Sequence, residues 1–403
     1  MTDDFSIPLK VITARMNHLK NNFVGIVAEI EKSALANIER RQKKESDSPL
    51  LITWDDWIYA ALEINHRRKE ESKKKEQPVS VIEQMLNKQT AAGDQFLFGK
   101  SPVQSNPKAD VYAKALSNVM GHYGVKAKKP SWAANLQVGD TIPKELLDEL
   151  PMPIGELVAV GSWMLTKNVY RFDDYVIKEV LKSNFEGKLP NHIVNLPDIA
   201  TYIQTDNADL YFQGDKVVGV IFVVSSLCDQ RVLITNFYLD TGLAKTIVIN
   251  FEDECDIEES LTDFVDNFQQ DYDPELHSDE LRDRTEIQKK LVNLALWFSQ
   301  KKPEIYPLAP NSQLERTDFK MVKGKKRLFE ADKYRPYKVG EETGRLFRKV
   351  YADLETAKDK NKGTGKRAPH LRKSHWHLYW YGPKGKYESW DLKLLPITMV
   401  GGE

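Results

Sequence analysis

Three closely spaced apolar runs constrain this chain most. Val217–Val224, Arg231–Leu239 and Lys245–Asn250 are dense in Val, Ile and Phe and are separated only by short turn-like segments. Runs of that length and composition extend rather than coil, and consecutive short-linked strands pair antiparallel. A preceding piece, Ile199–Gln204, has the same character. Any fold for the chain is therefore built on a central sheet. The short motif Asp209-Leu-Tyr-Phe-Gln-Gly214 between these strands resembles an engineered protease site; lacking a leading Glu, it reads as native sequence.

Helical periodicity surrounds this sheet. Residues 7–44 carry Leu9, Ile12, Met16, Leu19, Phe23, Ile26 and Ile30 at spacings of three and four, which predicts one long amphipathic helix. Thr53 reads as an N-cap before Trp54-Asp-Asp-Trp57, starting a helix that runs into the mixed-charge segment His66–Glu76. Short helices are expected after Pro78 and over Asp110–Tyr123, with loop over 93–107 and a basic linker over Val125–Leu136. Further helices are expected over Phe172–Leu181, Ile257–Gln270, Leu281–Gln300 and Glu341–Ala357, the last with Leu346, Phe347, Val350 and Leu354 inside. The reading is α+β: a helical domain over 1–130, a central mixed or antiparallel sheet with helices over 131–302, and a small basic, β-containing region over 303–403.

Composition narrows function. A net charge of −1 hides local polarity: Glu252–Glu280 holds thirteen acids and no Lys or Arg, whereas Lys358–Lys386 holds nine cations against Asp359 alone. That distribution suits local electrostatic tasks rather than a uniformly basic nucleic-acid binder. Two cysteines, Cys228 and Cys255, give no disulfide framework or metal-type pair, and a reducing cytoplasm is expected. No apolar run is long enough to span a bilayer, and Met-Thr-Asp-Asp does not begin a secretory leader, so neither a membrane nor secretion is expected. P-loop, dinucleotide, HExxH and nucleophile-elbow patterns are absent from the sequence.

Chemistry concentrates near residues 366–381, which contain His370, His375, His377, Trp376, Trp380, Lys366, Arg367, Arg372 and Lys373. If 375–381 is extended, His375, His377, Tyr379 and Tyr381 share one face, while Trp376, Leu378 and Trp380 form a core face. Three uses of the polar face compete. Lys366, Arg367, His370, Arg372, Lys373, Tyr379 and Tyr381 could bind RNA through phosphate contacts and base stacking. His375 and His377 could trade protons in metal-independent RNA cleavage, since a free imidazole titrates at ~6.5. His-x-His could join a metal site, but no neighbouring Cys pair or acidic cluster completes one, and no cofactor is expected. A basic strand edge with no ligand is the plain alternative.

The segment Pro369-His-Leu-Arg-Lys-Ser-His-Trp-His-Leu-Tyr-Trp-Tyr-Gly382, followed by Trp390 and Leu395-Pro-Ile-Thr-Met-Val400, resembles the closing signature of the type V-A anti-CRISPR family, carried on plasmids and phages. Similar stretches precede it in order: Trp163, Thr166–Asp173 (with Tyr170, Arg171 and Asp173), Leu189-Pro, Val194–Asp198 with Pro197, Tyr202-Ile, Leu328-Phe-Glu330, Tyr337–Gly340 and Gly344–Arg348. Thr13-Ala-Arg-Met-Asn17 is similar too. The resemblance covers about 150–403 well and 1–150 poorly. It implies suppression of type V-A effector production in a bacterial host, through recognition of the effector's nascent N-terminal polypeptide and loss of its mRNA. The implied partners are that polypeptide and its mRNA or the ribosome. Rival readings are a mobile-element RNA-binding protein or endoribonuclease unrelated to CRISPR, and a non-enzymatic protein-binding module. In their plain reading, Asp173 and Asp198 serve turn and cap hydrogen bonding.

Overall fold

The computed structural model describes residues 6–44, 52–75, 150–185, 189–190, 194–227, 230–251, 254–255, 274–308, 319–361, 369–383 and 389–400. The expected helices after Pro78, over Asp110–Tyr123 and over Ile257–Gln270, the loop and linker of 93–136, and the cations Lys366 and Arg367 lie outside them.

In chain order the first elements are helices α1 (Ser6–Asn22), α2 (Ile26–Lys44), α3 (Trp54–Lys75) and α4 (Ile154–Met164). Strand β1 (Asn168–Phe172), helix α5 (Asp174–Lys182), β2 (Asn184–Phe185) and β3 (Leu189–Pro190) follow. The central strands are β4 (Ala200–Gln204), β5 (Tyr211–Phe212), β6 (Asp215–Leu227), β7 (Gln230–Leu239), β8 (Ala244–Phe251) and β9 (Glu254–Cys255). Helix α6 (Pro274–Phe298) leads to β10 (Ile305–Pro307), β11 (Lys320–Val322), β12 (Lys325–Arg327) and β13 (Arg335–Val339). The chain then forms α7 (Glu341–Asn361), β14 (His370–Arg372), β15 (His375–Tyr381), β16 (Ser389–Leu395) and β17 (Thr398–Val400). This is an α+β arrangement.

The expected strands are present and form the sheet β10-β13-β1-β4-β6-β7-β8, with β5 on β6. Strands β4, β6, β7 and β8 are an antiparallel series, whereas β1 runs parallel to both β4 and β13. The sheet does not stop at residue 302: β10 and β13 come from beyond it and occupy one flank. Both faces are covered. Val232, Ile234 and Tyr238 of β7 pack with the N-terminal helices, while Leu233, Phe237 and Leu239 pack on the α6 side. Two-sided burial is why these strands read as nearly unbroken apolar runs. Leu210 and Phe212 are buried too, and Phe212 packs edge-on against Phe237 at 5.3 Å, so two side chains of the protease-like motif join the core.

The single helix expected over 7–44 is two helices. The chain turns at Gly25, whose φ of +82° is open to glycine, and its carbonyl accepts from the Ala28 and Glu29 amides to restart the spiral. The apolar stripe survives the break, since Leu9, Ile12, Met16, Leu19, Phe23, Ile26 and Ile30 are all buried. At the start of α3 the Asp56 carboxylate accepts from the Thr53 amide at 2.9 Å and from the Thr53 hydroxyl at 3.2 Å, the carboxylate half of a capping box. Helix α3 meets α4 at Gly161, where an added Cβ would lie 2.2 Å from the Trp57 ring. In α7, Phe347 and Leu354 are buried and Val350 is half-buried, but Leu346, expected inside, is 61% exposed. The helix rests on the body along a narrower stripe than its sequence suggests.

Candidate functional site

The site begins where β1 ends. The Asp173 amide donates to the Val339 carbonyl, and the Asp173 carboxylate accepts from the Tyr175 amide at 3.0 Å, capping α5. It also pairs with Arg348 of α7 at 2.6 Å. Glu304 accepts from the Glu342 and Thr343 amides, capping α7. These caps fix α5 and α7 side by side. Glu179 of α5 then accepts from the Tyr351 hydroxyl at 2.6 Å, and its backbone carbonyl accepts from the Ser374 hydroxyl at 3.2 Å. Burial, then the Glu179 bond, push the Tyr351 phenol well above its ordinary value, so it stays a donor. Ser374 immediately precedes β15, so this chain of contacts anchors the terminal hairpin on the body.

Strand β15 pairs antiparallel with β16 from His375–Leu395 to Tyr381–Ser389, and parallel with β2 over two residues. Pleat alternation places His375, His377, Tyr379 and Tyr381 on one face, together with Lys393 and Asp391 from across the ladder. The His377 and Tyr379 rings meet edge-to-face at 4.4 Å. The Lys393 ammonium lies 5.5 Å from the Tyr379 ring centre and 3.3 Å from Asp391, whose hydrogen bond raises the lysine pKa. His377 and Tyr381 are exposed, while His375 is half-buried and sits 3.5 Å from the Lys373 carbonyl. Beside this strand, β14 pairs with β17 and leaves His370 and Arg372 exposed; Lys373 is exposed as well. Among the described residues neither Arg372 nor Lys373 forms an ion pair.

The opposite face corrects one expectation. Trp376 is buried at 3% exposure and Leu392 beside it is fully buried, but Trp380 is 43% exposed. The first half of β15 is covered by β2 and the helices, whereas its end projects past that cover with Trp380 opposite Trp390. The aromatic face is thus core at one end and surface at the other.

The upstream motif residues build the scaffold. Trp163 is buried, donates its indole N–H to the Asn168 carbonyl at 2.8 Å and stacks on Tyr334 at 5.8 Å. Tyr170 donates to the buried Asp198 carboxylate at 2.6 Å, and Asn168 donates to it at 2.8 Å. Burial, then the Asp198 charge, hold the Tyr170 phenol far above its ordinary value. Asp198 therefore ties β1 to the segment before β4, and Pro197 lies half-buried beside it. Arg171 pairs with Asp206 at 2.6 Å. None of these motif residues joins the His/Tyr face. Sequence reasoning missed Lys393 and Asp391; period-2 alternation on the return strand was the available signal. It also missed Glu179, whose partners are distant in sequence. No group of three or more His, Cys, Asp or Glu among the described residues could hold a metal ion, and no helix among them is long and apolar enough to cross a membrane.

Residues 170–402 match the model of the AcrVA2-like family, described as the anti-CRISPR type V subtype A2 family. The chain belongs to this family. The match runs through the β15–β16 hairpin and β17, so the candidate surface lies within the matched residues. The chain is also similar to the crystal structure of AcrVA2, at 19% sequence identity and a TM-score of 0.43, over 79% of this chain and 94% of that one. No curated protein matches the chain.

Proposed function

We propose that this protein lowers production of a type V-A CRISPR effector by engaging the effector's N-terminal polypeptide during translation, with loss of the effector mRNA. The observation that carries the reading is the family match, whose final segment coincides with an exposed face of histidine, tyrosine and cations. Arg372, Lys373 and His370, together with Lys366 and Arg367 just before them in sequence, supply the RNA- or ribosome-facing charge, and Tyr379 and Tyr381 supply stacking surface. Strand addition at the outer edge of β8 is the candidate mode for a peptide. Edge β10 is a poorer template, being three residues long with Pro307 in it.

The hairpin geometry favours contact over cleavage. His375 and His377 lie two residues apart on one strand, one ring near a backbone carbonyl and the other against Tyr379. Neither imidazole has a carboxylate partner among the described residues to orient a proton transfer. Arg372→Gln with Lys373→Gln tests the surface: the variant folds, yet its association with translating ribosomes weakens and effector levels recover. A folded double variant that still suppresses the effector fully would remove this surface from the mechanism.

A further inference from the structure

The hairpin β11–β12 carries charge that the reading above leaves unused. Its strands pair Lys320 with Arg327, Met321 with Lys326 and Val322 with Lys325, and no third strand joins them among the described residues. Lys323 and Gly324 close it with φ of 49° and 75°, the double-positive turn whose twist suits a two-residue hairpin. Every residue from 320 to 327 is exposed. An isolated two-stranded ribbon gains little stability in water, and this one also crowds like charges together. Lys320, Lys323, Lys325, Lys326 and Arg327 occupy it with no acid in between, and only Arg327 is engaged within the described residues, by Glu31 at 2.9 Å.

The ribbon is held at its base. Glu31 also accepts from the Leu328 amide at 2.7 Å, and the Ala331 amide donates to the Met164 carbonyl at 3.2 Å. Met164 precedes β1, whereas the β15 hairpin is anchored through α5, which follows β1. Leu328 at the base of the ribbon belongs to the core on the N-terminal-helix side of the sheet, whereas Trp376 of β15 belongs to the core on the α6 side, so the two cationic hairpins are rooted on opposite faces of the sheet.

We propose that β11–β12 is a separate RNA contact, a cationic ribbon that lies across the phosphate rows of double-helical RNA. Register puts Lys320, Lys325 and Arg327 on one face and Lys326 on the other, with Lys323 at the tip. Cations on both faces and at the tip suit the two close rows of phosphates that flank the narrow major groove of A-form RNA, which the ribbon spans from outside, better than an acidic protein surface approached from one side. The ribbon offers no aromatic ring for unpaired bases and no Asn or Gln for base edges, so the contact is to backbone and independent of sequence. It stands on the hairpin alone and does not require the effector reading.

The test uses the full chain with Lys320, Lys325 and Lys326 changed to Gln and Lys323 to Asn, which keeps the turn conformation. Binding to a short fluorescent RNA duplex of mixed sequence is followed by anisotropy across a salt series, beside duplex DNA and single-stranded RNA. Duplex RNA affinity should fall at least about tenfold at low salt, and the salt slope should flatten by about two to four. An all-arginine variant of the same positions should retain binding. Unchanged duplex RNA binding and slope in the folded variant overturn the proposal, as does a loss confined to DNA or to single-stranded RNA. Because the assay contains no effector or ribosome, its outcome is independent of the production reading.

Discussion

Replacing Trp376 and Trp380 separately with Ala tests how the terminal hairpin is attached. Trp376 is 3% exposed and packs with Leu392, Ile397 and other residues of the α6-side core. A tryptophan buries about 200 Å² or slightly more, which at about 25 cal/mol per Å² sets a limit near 5 kcal/mol. A cavity adds to that loss and partial collapse subtracts from it, so Trp376→Ala should cost about 3–5 kcal/mol. Trp376→Phe should cost much less, because the indole N–H is buried without a hydrogen-bond partner among the described residues and its removal relieves about 1–3 kcal/mol of desolvation. Trp380, at 43% exposure across from Trp390, should cost about 0.5–1.5 kcal/mol on truncation, chiefly the cross-strand aromatic pair and part of its area. Guanidinium unfolding monitored by tryptophan fluorescence and circular dichroism reads all three variants. Equal costs for the two alanine variants would refute the assignment of a core end and a surface end to β15.

Tyr170→Phe should destabilise by about 1.5–3 kcal/mol, because it removes a donor from the buried Asp198 carboxylate; an unchanged urea midpoint would show that this hydroxyl does not hold β1 to the β4 segment. Glu156 of α4 gives a pH prediction. Burial raises its pKa, with Arg15 at 3.4 Å and His18 opposing the shift incompletely. The folded state therefore holds this proton after the unfolded state has released it, and stability is lost as pH rises from the ordinary carboxylate range through the raised folded value. Glu156→Gln should flatten that part of the thermal-midpoint profile; the same slope in the variant would assign the pH dependence elsewhere.

The strands β4, β6, β7 and β8 were legible because each carries a long Val/Ile/Phe run, and two-sided burial leaves no polar alternation to confuse the reading. The apolar stripe of residues 9–30 was equally legible, but the break at Gly25 was not. A lone glycine leaves periodicity intact, and only the backbone shows that φ becomes positive there. Leu346 and Trp380 were misplaced for one shared reason. Periodicity assigns a residue to a face, but how far neighbouring elements cover that face depends on tertiary packing. Asp173 could be read as a cap from its place before a helical run, whereas its pairing with Arg348 spans a separation no local pattern encodes. The His/Tyr face was visible from simple alternation. Its cross-strand members Lys393 and Asp391 required the register of β15 with β16, which depends on the connection between them.

The central claim, that the protein acts on effector synthesis through the nascent polypeptide, is tested most directly by recoding the effector's N-terminal segment in cells expressing this protein. One reporter is recoded synonymously, so its mRNA changes and its peptide does not. A second carries compensated frameshifts that change the peptide with minimal change in mRNA. Effector protein and mRNA are quantified for both, and purified protein is added in parallel to preassembled effector in a DNA-cleavage assay. The expected result is loss of protein and mRNA from the synonymous reporter, escape of the frameshifted one, and undisturbed cleavage by preassembled effector. Suppression that follows the nucleotide sequence rather than the peptide, or stoichiometric inhibition of the preassembled effector, would contradict the account.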